Sequence, residues 1–275
     1  MTLSPIRIDT PDDPRIAAFV SVKERDLSGR QGRFIAEGTV VLRMLADAHG
    51  ASRGIAAEAI LLLENRVEGL GDILGGFPPD VPVYVASAAV FDAIAGFHMH
   101  RGVLAIGSHA KMPGRDALLA ELPERSLVLA VCGLSNHDNA GSIFRNAAAF
   151  GVDSVFLDQT SCDPLYRKAI RVSVGSVLKV PFAREGSTEE LLAALSMNGF
   201  AIWGLSPRGA VDIDDLPASP RTAFVVGTEG EGLPDSVMRA IRTASIRQRP
   251  GLDSLNVATA TGIALHRVAR INGLI

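Results

Sequence analysis

The sequence predicts an α/β protein in two parts, a smaller α/β region followed by a parallel-sheet domain. Three observations carry this. The second half holds four short continuous apolar runs, SLVLAV, SVFL, AIWGL and TAFVV, of the kind found in strands buried on both faces. Segments of helical periodicity separate them, and such alternation gives parallel strands joined by right-handed crossovers. A stretch with turn chemistry and no periodicity, Gly107 to Arg115, divides this half from what precedes it. The expected boundaries are a first domain over residues 1–107, a linker over 108–122 and a second domain over 123–275.

In chain order, Phe34 to Ala36 reads as a strand running into Glu37-Gly38. Thr39 is then the expected N-cap of a helix whose apolar face includes Val41, Leu42 and Leu45. Ala59 to Leu63, Val83 to Val85 and Val103 to Ile106 read as further strands, with Pro82 suited to the start of one. In the second half, strands are expected at Ser126 to Val131, Ser154 to Leu157, Ala201 to Leu205 and Thr222 to Val226. Helices are expected at Gly141 to Phe150, Thr188 to Met197, Pro234 to Ile241 and Ser254 to Ile271. In the last, Leu255, Ala258, Gly262, Leu265 and Ala269 recur at spacings of three and four and mark one buried stripe.

Composition narrows the function. With 47% apolar and 21% charged residues among 275, the chain is neither disordered nor collagen-like. A net charge of −3 excludes a histone-like or polybasic membrane role. Yet 23 of the 27 basic residues are arginine, the side chain suited to forked recognition of phosphate, so local RNA sites stay open. Two cysteines, Cys132 and Cys162, make no disulfide framework, and neither they nor the alternating His98 and His100 have partners at metal-ligand spacing. The first ten residues carry no secretory pattern, and the longest aliphatic stretch, around Ile60 to Leu63, is far short of the ~20 residues that cross a bilayer. A soluble, reduced, cytoplasmic protein is expected.

In an open α/β sheet, ligands bind beyond the carboxyl ends of strands, and three loops there are unusually polar or glycine-rich. The first, SNHDNAGSIFRNAAAFG, puts Asn139 at a helix start and Arg145 on its first turns. Singly, these read as an N-cap and a solvated cation. The second, GTEGEGLP, has the order G-x-x-G-x-G rather than the dinucleotide G-x-G-x-x-G. Its Glu229 and Glu231 would repel a pyrophosphate and suit a neutral or cationic ligand, a sulfonium among them; an ordinary tight turn before Pro234 is the plain alternative. In the third, IRQRPGLDSLNVATATGIALHR, Asp253 or Ser254 is placed to cap the final helix, with Asn256 in its first turn.

Taken together and in this order, the three loops resemble the signature motifs of the SpoU family of RNA ribose 2′-O-methyltransferases (TrmH-like, within the knotted SPOUT superfamily). N-x-G-x-x-x-R is met by Asn139, Gly141 and Arg145; G-x-E-G-x-G-L by Gly227, Glu229, Gly230, Gly232 and Leu233; S-L-N-V by Ser254 to Val257. The connecting stretch DPLYRKAIRVSVGSVLKVPF also looks like family sequence, so the resemblance covers about residues 125–271. More loosely, RFIAEGTVVLRML and HMHRGVLAI look like the first strand and helix and the closing strand of the family's ribosomal-protein-like substrate-binding domain.

The resemblance implies S-adenosylmethionine as methyl donor, a ribose 2′-hydroxyl of tRNA or rRNA as acceptor, a C-terminal trefoil knot and a homodimer, with no metal and no membrane. By resemblance, Gly227, Ile246 and Leu255 hold the cofactor, while Arg145, Asn139, Glu229, Ser254 and Asn256 form the catalytic wall. A guanidinium does not ordinarily give up its proton, so Arg145 is expected to bind RNA phosphate and orient the ribose. Where many family members carry I-P-M, this chain has Ile246-Arg247-Gln248-Arg249. Arg247 and Arg249, with Arg167, Lys168 and Arg171, are expected to form a basic patch for RNA. Rival readings are an RNA-binding relative without turnover, a nicotinamide-dependent enzyme, disfavoured by the glycine order, and a base methyltransferase, disfavoured by the S-L-N signature.

Overall fold

Short apolar runs fold here as two separate sheets. The computed structural model describes residues 5–20, 32–51, 54–95, 101–109, 112–249, 251 and 253–275; His98 and His100 lie outside them. The described residues pack as two units. One holds the chain up to Met112 together with Leu165–Lys179; the other holds Pro113–Pro164 and Val180–Ile275. The stretch around Arg167 to Arg171, expected within the second domain, thus belongs by its packing to the first unit.

In the first unit, β1 (Ile6–Ile8), β2 (Arg33–Glu37), β3 (Ala56–Leu63), β4 (Val83–Ala86) and β5 (Val103–Ser108) form a sheet of order β1-β4-β3-β5-β2. β1, β4 and β3 run parallel, whereas β5 lies antiparallel to β3 and β2. The helix Thr39–Ala48 buries the expected Val41, Leu42 and Leu45. Its cap differs from expectation: Gly38, at φ +93°, takes the N-cap and Thr39 is the first helical residue. The Gly38 N–H still donates to the Val103 carbonyl at 3.0 Å, so strand pairing holds the chain one residue further and leaves a conformation that favours glycine. Within the same unit, Glu37, 7% exposed, accepts from Nη2 and Nε of Arg167 at 2.9 and 3.0 Å, tying the helix Arg167–Val172 to the end of β2.

In the second unit, β6 (Ser126–Val131), β7 (Ser154–Leu157), β8 (Phe182–Arg184), β9 (Ala201–Leu205), β10 (Val211–Asp212), β11 (Arg221–Val226) and β12 (Arg242–Ser245) form one sheet. Its order is β10-β12-β9-β11-β6-β7-β8, with every adjacent pair parallel. All six residues of β6 are buried, as a strand covered on both faces requires. The expected long strands are all present; β8, β10 and β12 were not foreseen because they have three, two and four residues and β12, RTAS, is largely polar.

The connections place a crevice. From β6 the chain passes through the helix His137–Ala149 to β7 on one side; from β11 it passes through the helix Asp235–Ala240 to β12 on the other. β6 and β11 are neighbours, so their crossovers leave in opposite directions and open a gap beyond their carboxyl ends. The final helix, Val257–Ile271, buries Ala258, Leu265 and Ala269 as expected, but Leu255 precedes it and is 37% exposed. Among the described residues, no helix is long and apolar enough to cross a membrane.

Candidate functional site

The loops leaving β6 and β11 meet at that gap, and the start of the final helix joins them. The helix His137–Ala149 is capped by Asn136, whose side chain accepts from the Asp138 N–H at 2.8 Å. Asn139 is therefore not the cap: it lies inside the first turn, 8% exposed, with its amide free for longer contacts. Its Nδ2 donates to Glu229 Oε1 at 2.6 Å, a short charge-assisted bond. Its Oδ1 accepts from Asn256 Nδ2 at 2.9 Å. Asn256, expected within the last helix, is its N-cap; Oδ1 accepts from the Ala258 and Thr259 N–H groups at 2.9 and 3.2 Å. Neither Asp253 nor Ser254 caps it, because Asn256 already takes those first-turn donors. Ser135 Oγ donates to the second oxygen of Glu229 at 3.4 Å. One hydrogen-bonded chain, Glu229–Asn139–Asn256, thus links all three motif loops.

Beside it lies a cleft of about 470 Å³, within the range of small-ligand pockets. Gly227, Ile246, Leu255, Glu229, Ser254 and Asn256 all line it. Gly227 is demanded by close approach: a Cβ there would stand 2.3 Å from the Gly232 carbonyl oxygen. The loop closes on itself, with Thr228 N–H donating to Gly232 O at 3.3 Å and Gly232 N–H to Thr228 O at 3.2 Å. Gly230 and Gly232 sit at φ +97° and +73°, where a side chain is strained. Ser254 is exposed at the rim and makes no bond to the Asn139 chain.

Arg145 is not part of this cleft. It lies on an exposed flank of the helix His137–Ala149, with no hydrogen bond or ion pair among the described residues. On the same helix Asn146 Nδ2 donates to the Ala258 carbonyl at 2.8 Å, fixing its packing against the final helix. Arg247 is engaged by Asp212 at 2.8 Å with its side chain 88% exposed, and Arg249 is exposed. Arg167, Lys168 and Arg171 fold with the first unit, where Arg167 is held by Glu37.

Sequence reasoning missed Asp158 at the end of β7. It is 4% exposed, and five donors converge on it: Gly133 N–H at 3.0 Å, Ser161 N–H at 2.9 Å and Oγ at 2.7 Å, Thr160 Oγ1 at 2.9 Å and Thr188 Oγ1 at 3.0 Å. Burial alone would raise its pKa, but the hydrogen bonds outweigh it and hold the carboxyl below its usual range. Through Gly133 it anchors the loop leaving β6. The signal was local, an aspartate followed within three residues by two hydroxyls, Thr160 and Ser161. Cys132 and Cys162 are pushed up to about 12 and about 11, by burial first and, for Cys162, by the charge of Glu229 next. Neither is a thiolate at neutral pH. Among the described residues, no group of three or more His, Cys, Asp and Glu gathers in a way that would hold a metal.

The chain matches the model of the SpoU rRNA Methylase family over residues 126–266. It is 37% identical to an uncharacterized tRNA/rRNA methyltransferase of Mycobacterium tuberculosis, over 94% of this chain and 90% of that one. A crystal structure of an AdoMet-bound rRNA methyltransferase from Sinorhizobium meliloti has a similar fold, with a TM-score of 0.78, 24% identity and coverage of 96% and 97% of the two chains. A structure described as an RNA 2′-O ribose methyltransferase aligns with a TM-score of 0.76 at 25% identity, over 98% of this chain and all of that one.

Proposed function

The chain belongs to the SpoU rRNA methylase family, a family of RNA methyltransferases, and from that premise we propose that it methylates a ribose 2′-hydroxyl of tRNA or rRNA with S-adenosylmethionine as donor. The observation that carries the reading is the hydrogen-bonded chain Glu229–Asn139–Asn256, which joins the three family motifs at the edge of one cleft. A likeness to the RNA 2′-O ribose methyltransferase points the same way.

The cleft fits the donor. Its glycine loop closes on its own backbone at Gly227, so that side of the cleft is walled by main chain, and Ile246 and Leu255 supply apolar walls. Glu229, Glu231 and Asp253 line it with carboxylates, suited to a cation. Bound there, the donor supplies a methyl group already activated by a sulfonium. The chain's own part is then to align the acceptor hydroxyl and help remove its proton. Asn139 and Ser135 fix the Glu229 carboxylate, and Asn256 ties that group to the cofactor-binding loop. Arg145, free of internal partners among the described residues, is assigned to an RNA phosphate, with Arg247 and Arg249 as further phosphate contacts. Neither cysteine lines the cleft, which argues against base methylation through a cysteine adduct there.

The trefoil knot and the homodimer belong to the same proposal. An open groove along the two helices joined by Asn146, lined by Ser142, Gly262, exposed Ile263 and His266, supports pairing of two copies there. The test is enzymatic. Methylated RNA digested to nucleosides should yield 2′-O-methylated products by mass spectrometry; a methyl found on a base would overturn the reading. Arg145→Ala should lower methylation by about 100-fold or more, some 2.7 kcal/mol of transition-state stabilisation, and leave cofactor affinity unchanged. Unchanged turnover would remove Arg145 from the site.

A further inference from the structure

Resting on the cofactor reading above, we infer that Arg208 grips the α-carboxylate at the amino-acid end of S-adenosylmethionine. Among the described residues that line the cleft, Arg208 is the one lysine or arginine, set against the carboxylates of Glu229, Glu231 and Asp253. A zwitterionic amino-acid end carries one anion, its carboxylate, and the cleft offers one cation. The α-ammonium and the sulfonium have three carboxylates to choose from.

Backbone bonds hold Arg208 in place. Ser206-Pro207-Arg208-Gly209 forms a tight turn, with proline second and glycine fourth as such turns favour. The Gly209 N–H donates to the Ser206 carbonyl at 3.0 Å, and the Arg208 N–H donates to Ser206 Oγ at 3.2 Å. The turn is fastened to β12: Ser206 N–H donates to the Ala244 carbonyl at 3.0 Å, and Ala210 N–H to Thr243 Oγ1 at 3.1 Å. It lies so close to β12 that a Cβ on Gly209 would stand 2.2 Å from the Ala244 carbonyl carbon. The guanidinium itself stays available. Its partner is Asp235 at 3.5 Å, with side chains 72% and 67% exposed, a pair that water and salt weaken.

A second anion-binding feature at the cleft is largely spent. The final helix begins there, but Asn256 already accepts from the Ala258 and Thr259 N–H groups, so those two do not receive a carboxylate. Arg208 offers a fork that matches carboxylate geometry.

The test is calorimetry on the full chain with two ligands, S-adenosylhomocysteine and 5′-methylthioadenosine, which lacks the amino-acid carboxylate. Arg208→Ala should weaken S-adenosylhomocysteine by about tenfold, about 1.4 kcal/mol, and change 5′-methylthioadenosine by less than about twofold. Arg208→Gln, which preserves most of the side chain, should behave alike, and circular dichroism should show both variants folded. Equal losses for the two ligands would overturn the inference, as would unchanged affinity for S-adenosylhomocysteine. Weakened RNA binding with cofactor affinity intact would overturn it too and assign Arg208 to phosphate. If the unaltered chain binds neither ligand, the cofactor reading itself fails; if it binds both and the variants match it, only the assignment of Arg208 falls.

Discussion

Replacing Asn139 tests the core of the site, because its two hydrogen bonds run in opposite senses. Nδ2 donates to Glu229 at 2.6 Å, and Oδ1 accepts from Asn256 at 2.9 Å. Asn139→Ala removes one bond to a charged group and one neutral bond, nominally about 2–4 kcal/mol together. Glu229 and Asn256 are both exposed, so each regains water and no buried orphan remains; a loss of about 1–2 kcal/mol is expected. Asn139→Asp is worse, since a carboxylate oxygen then faces Glu229 where an amide nitrogen stood. Two unit charges at about 4 Å repel by roughly 4 kcal/mol at an effective dielectric of 20, and part of that is relieved as Glu229 turns outward. A further loss of at least about 1 kcal/mol beyond alanine is expected at pH 7.5. The paired carboxylates raise one another's pKa, so the folded state binds a proton more readily than the unfolded chain. The penalty on Asn139→Asp should therefore shrink as pH falls from 7.5 towards 5. Thermal unfolding at the two pH values measures this. If Asn139→Asp matches Asn139→Ala at pH 7.5, or if the gap between them fails to narrow in acid, the linkage through Asn139 is wrong.

Asp158→Ala removes the acceptor of five hydrogen bonds and leaves the Gly133 N–H without one, while the Ser161 N–H keeps its bond to the Asp158 main-chain carbonyl at 3.2 Å; about 3–5 kcal/mol of stability should be lost in urea unfolding. Asp158→Asn should cost less, because the Thr160 and Thr188 hydroxyls facing the new amide can rotate to accept. Because the Asp158 pKa is lowered, its stabilisation is present above the unfolded value near 4 and fades as pH falls through the folded one, so the difference between Asp158→Asn and the parent should narrow below about pH 4. Gly227→Ala places a methyl 2.3 Å from the Gly232 carbonyl oxygen and should weaken cofactor binding by about tenfold or more in calorimetry, with the fold retained by circular dichroism. Full affinity in that variant would show that the loop opens freely.

The long strands were legible because burial on both faces writes itself as unbroken apolar sequence: β6 is SLVLAV, and all six residues are buried. β8, β10 and β12 were not, since two to four residues carry no period and β12 is RTAS. Helix caps failed for a different reason. The segment from Asn136 to Asn139, NHDN, holds three residues able to cap, and local chemistry does not rank them. The choice of Asn136 is tertiary: a first turn that starts there carries Asn139 inward to Glu229, ninety residues away in sequence. The same holds at the final helix, where Asn256 serves as cap and partner at once, a double use that no window of sequence displays.

Motif spacing therefore named the side chains without stating what joins them, and topology supplies the junction. Neighbouring strands β6 and β11 send their crossovers in opposite directions, so the loop bearing Asn139 and the loop bearing Glu229 must share one gap whatever their composition. Asn139 then answers two demands, a donor for the carboxylate and an acceptor for Asn256, which glutamine is too long and serine too short to meet together. Arg145 lies outside this bonded set, exposed one face around the same helix. On the function proposed above, that separation suits a division of labour in which internal bonds build the cofactor side of the site and the arginine is left for an RNA phosphate.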